Sequence, residues 1–251
     1  MPRFYIPPAA WRPDRLVLAE EEAHHARQVL RLKTGDQATV FNGQGEAATV
    51  RIDEPAGRKL PLTPLQFIQT PLLPCQITLG QAIPKGKTMD LIVQKAVELG
   101  VSQIVPLMTE RTIVLLESSE IGAKKEKWQR TALEACKQCG RNWLPEIAVP
   151  SSFSPFIHTV QDDFDLILIA ALTSEAKSLR AHLQSYRDNG ERPLPERLLL
   201  LIGPEGDFAR NELTEAAQAG ARALSLGPNV LRSETAALYG LSVLGYELFG
   251  S

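Results

Sequence analysis

Two stretches near the end of this 251-residue chain, Ile202-Gly-Pro-Glu-Gly-Asp-Phe208 and Leu226-Gly-Pro-Asn-Val-Leu-Arg-Ser-Glu-Thr-Ala236, hold the residue types that could grip a small molecule and act on it. Glycine lets backbone N–H and C=O groups approach a ligand closely, and proline fixes the bend. Each stretch follows an apolar run with strand character, 198–202 and 221–226, and each opens onto a segment with helical spacing. The two bends are therefore expected to line one pocket made largely of main chain. Ser233 can cap the helix that follows, and Glu234 gains from the dipole at its N-terminus. Arg232 does not fit that structural account, because the dipole disfavours a cation there; a nearby anionic group would explain it.

Other chemistry-bearing patterns carry less. Gly86-Lys87-Thr88 resembles the tail of a phosphate-binding loop, but the motif needs a glycine at position 81, which holds Gln81. No G-x-G-x-x-G follows the first strand of the later region, so an ordinary dinucleotide fold is unsupported. Cys136 and Cys139 form a C-x-x-C inside a helical stretch with no second ligand pair, and read as two small buried side chains. His24 and His25 are adjacent on a helix, pointing about 100° apart, and cannot easily share one ion. No metal is expected. His24, Arg27 and Arg31, spaced i, i+3, i+7, share a basic helix face, either merely solvated or contacting phosphate.

The elements that must position these residues fall into two patterns. Residues 1–72 read as short strands (15–18, 37–41, 47–52) with one helix over 20–31 and a turn at Asn42-Gly43, which fits a small β-barrel. Prolines 61, 64, 71 and 74 punctuate the exit and place a domain boundary near residues 70–75. Beyond it, strand-like runs (76–82, 102–108, 164–172, 198–202, 221–226) alternate with helical stretches (87–99, 124–139, 174–187, 210–219). Glycines 100, 140 and 220 are placed as helix C-caps. Such alternation predicts an α/β domain over 73–251 with a mostly parallel sheet. The last helix, 233–249, has only Glu234 and Glu247 as charges and is apolar nearly all round, so it should be buried all round. A homodimer interface meets that need; burial within one chain is the alternative.

Bulk properties exclude some classes. No run of eighteen apolar residues exists, so no membrane span is expected, and the N-terminus lacks a signal's long apolar region. Three cysteines argue for a reducing, cytoplasmic setting. Net charge is −2, but residues 1–70 carry +1, 71–150 carry +2 and 151–251 carry −5. A polyanion should therefore meet the N-terminal and middle parts on local patches.

Six motifs in order resemble the ribosomal small-subunit RNA methyltransferase E family, of the SPOUT class, over the whole chain. They are His25-Ala-Arg-Gln-Val-Leu-Arg31; Lys85-Gly86 with Gln94-Lys95-Ala-Val-Glu98-Leu-Gly100; Glu110-Arg111; Gln138 with Arg141; Ile202-Gly-Pro-Glu-Gly206; and Leu231-Arg-Ser-Glu-Thr-Ala236. Asp207 stands where the family usually has a third glycine, and Ala209 where a capping Ser or Thr is common. Asp tolerates left-handed backbone, so the turn should survive; the missing cap should weaken the next helix by about 1 kcal/mol.

The resemblance implies a trefoil-knotted SPOUT domain after a PUA-like β-barrel that binds RNA, and a homodimer through the C-terminal domain. It implies S-adenosylmethionine (SAM) as cofactor, methylation of N3 of a uridine in 16S rRNA of the small ribosomal subunit, and no metal. The implied cofactor residues are Ala171 and Leu172; Leu201, Ile202, Gly203, Glu205 and Gly206; and Leu226, Gly227, Val230, Leu231, Arg232, Thr235 and Ala236. Implied RNA contacts are Arg3, His25, Arg27, Arg31, Lys85, Arg111 and Arg141. Arg232 is expected to stabilise the uracil anion, and Glu234 to accept the proton or orient Arg232. Gly206→Val is expected to block the cofactor sterically. A related enzyme acting on another RNA atom and a non-catalytic ribosome-assembly protein are the alternatives.

Overall fold

The computed structural model describes residues 1–113, 116–160, 162–190 and 192–250. They form two compact units, one of Met1–Leu72 with Leu133–Leu144, the other of Leu73–Ala132 with Pro145–Ser251.

In the first unit, β1 (Arg3–Tyr5), β2 (Leu16–Leu18), β3 (Gln37–Phe41), β4 (Glu46–Ile52) and β5 (Leu60–Gln69) make one sheet in the order β1-β3-β4-β5-β2. Inward residues such as Phe4, Leu16, Val40, Val50 and Leu60 close over Ala23 and Ala26 to form its core. The Asn42 carboxamide stabilises the β3–β4 turn, its Oδ1 accepting from Gln44 N and Glu46 N at 2.8 and 3.2 Å. Two features depart from expectation. Pro61 and Pro64 lie within β5 and do not end the sheet; Pro64 falls where the β4–β5 register shifts beside Val50, a place where a missing N–H is tolerated. The stretch 20–31 is also not one regular helix. It is α1 (Glu20–His24) followed by a π-helical turn (His25–Val29), with Arg31 beyond it at φ +56°. The wider winding breaks the i, i+3, i+7 stripe, so His24, Arg27 and Arg31 do not share a helical face.

The second unit is built on seven parallel strands: β6 (Gln76–Ala82), β7 (Gln103–Met108), β8 (Glu146–Ile147), β9 (Ser151–Ser152), β10 (Leu166–Ala170), β11 (Arg197–Ile202) and β12 (Arg222–Leu224). Their order is β12-β10-β11-β6-β7-β8, with β9 also on β7. Parallel pairing demands crossovers, supplied by α2 (Thr88–Glu98), α3 (Ser118–Cys139, whose residues from Leu133 belong to the first unit), α4 (Phe153–Thr159), α5 (Leu179–Asn189) and α6 (Arg210–Gln218), while α7 (Ser233–Leu248) follows the last strand. The near-continuous apolar run of β11, Leu198–Ile202 in sequence, is buried on both faces, as a central parallel strand must be. Gly100, Gly140 and Gly220 end α2, α3 and α6 in left-handed conformation, at φ +92°, +84° and +85°.

Helix α7 is buried on one side only. Ala237, Gly240, Leu241, Leu244 and Leu248 face inward, while Tyr246 is 85% and Tyr239 49% exposed. Close approach to the sheet depends on Gly240, where an added Cβ would lie 3.0 Å from Leu200 Cδ2.

Candidate active site

Adjacent parallel strands β12, β10 and β11 end at the same edge of the sheet, the edge where open α/β sheets take ligands. The chain leaving each one turns to enclose a cavity of about 450 Å³, within the ordinary range for small-molecule sites. Ala171 and Leu172 contribute one wall, and Ile202, Gly203, Glu205 and Gly206 a second. Leu226, Gly227, Val230 and Leu231 form the third, closed by Ala236 of α7.

Three residues named with these do not line the cavity. Leu201 alternates to the opposite face of β11 and packs in the core with Val105 and Leu107. Arg232 and Thr235 are exposed at the start of α7, outside the lining, and half-buried Glu234 also lies outside it. Other lining residues, Asp207, Ser225, Asn229 and Ser233 among them, were not singled out as ligand contacts.

Side chains from distant segments hold the loop after β11. Asp207 adopts φ +62°, the left-handed geometry expected of it. Its Oδ1 accepts from Phe208 N at 2.8 Å and its Oδ2 from Leu172 N at 3.2 Å, tying two cavity walls together. Ser233 does not cap α7: Arg232 occupies the N-cap position, and buried Ser233 donates its hydroxyl to Gly203 O at 2.8 Å. Ser233 Oγ in turn accepts from Gln81 Nε2 at 2.9 Å. Gln81 is fully buried. The residue that excluded a phosphate loop thus anchors the pocket from β6.

Glu212 makes the half of a capping box that needs no side chain at Ala209. Its buried carboxylate accepts from Ala209 N at 2.8 Å and from Glu110 N at 2.9 Å, joining the start of α6 to the loop after β7. As expected from a missing Ser or Thr, no side chain caps the first-turn N–H groups of α6; Glu212 secures the backbone N–H of Ala209 itself. Replacing Glu212 with alanine strands two backbone donors, and urea denaturation should show a loss of about 2 kcal/mol. Glu212→Gln, which retains an acceptor, should recover part of it.

The basic residues divide by their surroundings. Arg3 is spent inside its own unit: its Nη2 donates to Asn142 Oδ1 at 2.6 Å, its guanidinium lies 5.0 Å over the Phe41 ring, and burial lowers its pKa. Arg141 is half-buried, and desolvation lowers its pKa too. The His25 ring meets Phe4 edge-on at 6.0 Å. Arg27 reaches Gly57 O at 3.4 Å. Arg31 and Lys85 are exposed. Arg111 donates to Gly206 O at 2.6 Å and so braces the pocket loop. A Cβ on Gly206 would meet Arg111 at 3.4 Å, an ordinary contact, so the protein itself leaves room for a side chain at this position of the lining. Cys136 is buried, its thiol pushed up to about 12 by desolvation, whereas Cys139 is exposed, against the reading of both as buried. Among the described residues no group of three or more His, Cys, Asp or Glu is placed to hold a metal ion.

Comparison with known proteins gives this geometry a lineage. An RNA methyltransferase domain model matches residues 71–245, and an RNA methyltransferase PUA domain model matches 18–61. The Ribosomal RNA small subunit methyltransferase E of Synechocystis sp. is 33% identical over 234 residues, covering 93% of this chain and 74% of that protein. A Legionella pneumophila protein solved in complex with the cofactor SAM superposes with TM-score 0.82 at 34% identity, covering 98% of this chain and 97% of that one. The Ribosomal RNA small subunit methyltransferase E of Neisseria gonorrhoeae, bound to S-adenosyl methionine, gives TM-score 0.84 at 28% identity, covering 98% of each chain. With one family model spanning most of its length and a relative of this similarity, the chain belongs to the ribosomal RNA small subunit methyltransferase E family.

Proposed function

We propose that the chain transfers a methyl group from SAM to N3 of a uridine in 16S rRNA of the small ribosomal subunit. The observation that carries this reading is the cavity walled by two glycine-proline bends at the carboxyl ends of adjacent parallel strands. Its size and its largely apolar, main-chain lining suit a nucleoside joined to an amino acid, and its two carboxylates, Glu205 and Asp207, suit a cation. When bound, SAM supplies an electrophilic methyl on a positively charged sulfur. The chain must supply alignment and proton handling. Uracil N3 carries a proton at neutral pH and cannot attack until the proton leaves. Arg232, exposed at the start of α7 beside the cavity wall, stabilises the uracil anion as it forms. Glu234, two residues on, accepts the proton or orients Arg232. The walls after β10, β11 and β12 would hold SAM, whose sulfonium would give up its methyl carbon to the deprotonated N3 and keep the electron pair of the broken bond. Incubating the protein with labelled SAM and unmodified small subunits, then mapping the label, tests the reading. A methyl at another atom selects a related activity, and none at all removes the enzyme.

In the same reading, residues 1–72 act as the PUA-like RNA-binding domain. Residues 73–251 act as the SPOUT domain, its last segment threaded as a trefoil knot beneath the loop that Ser233 grips. RNA is met by Arg27 and Arg31, with Lys85 on the other unit. Arg3 is instead taken up within its own unit by Asn142. Arg27→Ala and Arg31→Ala should each weaken RNA binding several-fold at low salt and lower the slope of log K against log[salt] by about 1. An unchanged slope returns them to a solvated surface.

The uncovered apolar side of α7 is occupied by a second copy, making a homodimer through the C-terminal domain. Tyr246, the most exposed large hydrophobic side chain of the helix, is its anchor. Tyr246→Asp should shift sedimentation toward monomer, weakening self-association about tenfold or more. Free cysteines Cys75, Cys136 and Cys139 accord with a reducing cytoplasm. No helix among the described residues is long and apolar enough to cross a membrane.

A further inference from the structure

We propose that Asp207, seconded by Glu205, makes the cavity read the charge on its ligand's sulfur, so that it holds the cationic methyl donor in preference to the neutral thioether left after transfer. The proposal rests on the cofactor reading above and names what that site discriminates.

Among the side chains lining the cavity, Glu205 and Asp207 are acidic and none is Lys, Arg or His. Neither carboxylate forms an ion pair among the described residues. The cations on neighbouring segments do not line the cavity: Arg111 gives its guanidinium to Gly206 O, Lys85 meets Glu205 through its backbone N and has an exposed side chain, and Arg232 is exposed on α7. Asp207 is also held in place. Its left-handed backbone at φ +62° and its bonds from Phe208 N and Leu172 N fix the carboxylate at the junction of two walls. Glu205 is exposed and touches Lys85 N only at 3.4 Å, so its influence is the weaker of the two.

Donor and product share the adenosine and the amino-acid tail. They differ by one methyl group and one positive charge on sulfur. Main-chain walls cannot tell them apart by shape to any useful degree, because a single methyl is worth little in an apolar pocket. A fixed negative charge in a partly enclosed site can, since its field is less screened there than in water. The consequence for turnover is product release: the site loses its electrostatic hold once the methyl has left, while incoming donor regains it.

Isothermal titration calorimetry of the full chain with SAM and with S-adenosylhomocysteine, for the wild type, Asp207→Asn and Glu205→Gln, tests this. Asparagine accepts left-handed backbone but keeps one acceptor where the carboxylate uses two, so Asp207→Asn removes one loop bond along with the charge, and the charge is read from the ratio of the two affinities rather than from either alone. The wild type should prefer SAM by about tenfold or more. Asp207→Asn should cut that preference to about threefold or less, because SAM loses both the charge and the loop bond and the thioether only the bond, and Glu205→Gln should cut it to a smaller extent. Equal affinities in the wild type, or a variant that weakens both ligands alike, overturns the proposal and leaves the cofactor reading standing. A wild type that binds neither ligand overturns the cofactor reading itself.

Discussion

Arg232→Ala is expected to lose about two to three orders of magnitude in turnover, as removal of a single anion-stabilising donor typically does, while SAM affinity changes by no more than about threefold. The split follows from placement. Arg232 occupies the N-cap position of α7, with its carbonyl accepting from Ala236 N at 2.8 Å, so the backbone role survives substitution. Its side chain is exposed and outside the cavity lining, so a ligand in the cavity does not depend on it. What disappears is a cation at the rim, where the helix dipole gives it no structural reason to be. Arg232→Lys, a point charge without the planar fork, should recover only part of the rate. Single-turnover methyl transfer on small subunits, paired with calorimetric titration of SAM, measures both quantities. A variant with normal turnover removes Arg232 from the chemistry, and one that loses cofactor affinity in proportion places it in the binding site instead.

The parts of this molecule that could be read from residues are those where the backbone itself makes the demand. A left-handed turn favours glycine, asparagine or aspartate, so the ends of α2, α3 and α6 and the bend at Asp207 announce themselves locally, whereas the left-handed Arg31 does not. Long apolar runs alternating with helical spacing likewise set the parallel sheet. Short elements escape such reading. The three residues of β1 and the two each of β8 and β9 are below the length at which a period can be seen. Helix α4 rests on only two buried positions, Phe153 and Ile157. Pairings over long sequence separations escape it too. Serine at a helix start reads as a cap, and nothing nearby says that Ser233 instead serves a carbonyl thirty residues earlier. Arg3 reads as a surface cation until Asn142, 139 positions away, is found beside it. The pocket's walls were therefore legible, while the side chains that brace them from behind, Gln81 and Glu212, were not.

That bracing decides which glycine matters most. Gly203→Val should lower SAM affinity by about a hundredfold or more, whereas Gly206→Ala should stay within about threefold of the wild type. A Cβ on Gly203 would stand 3.2 Å from Phe208 N, 3.2 Å from Phe208 Cδ2 and 3.3 Å from the carbonyl carbon of Asp207. Two of those atoms are backbone of the loop as it folds back on itself, so they cannot swing aside as a flexible side chain would. Valine adds two further methyls in the same space and loses χ1 freedom. The loop must open, and opening has nowhere cheap to go. Phe208 is packed against Phe153 with ring centroids 5.2 Å apart, and Gly203 O is committed to Ser233. Relief therefore comes at the cavity wall, where Asp207 releases Leu172 N and the two walls separate. At Gly206 the added carbon meets only the aliphatic part of Arg111 at 3.4 and 3.7 Å, which is ordinary packing. Titration calorimetry on both variants, with circular dichroism to confirm that each is folded, separates the cases. Near-normal affinity in a folded Gly203→Val protein would show that the donor lodges somewhere other than between these walls.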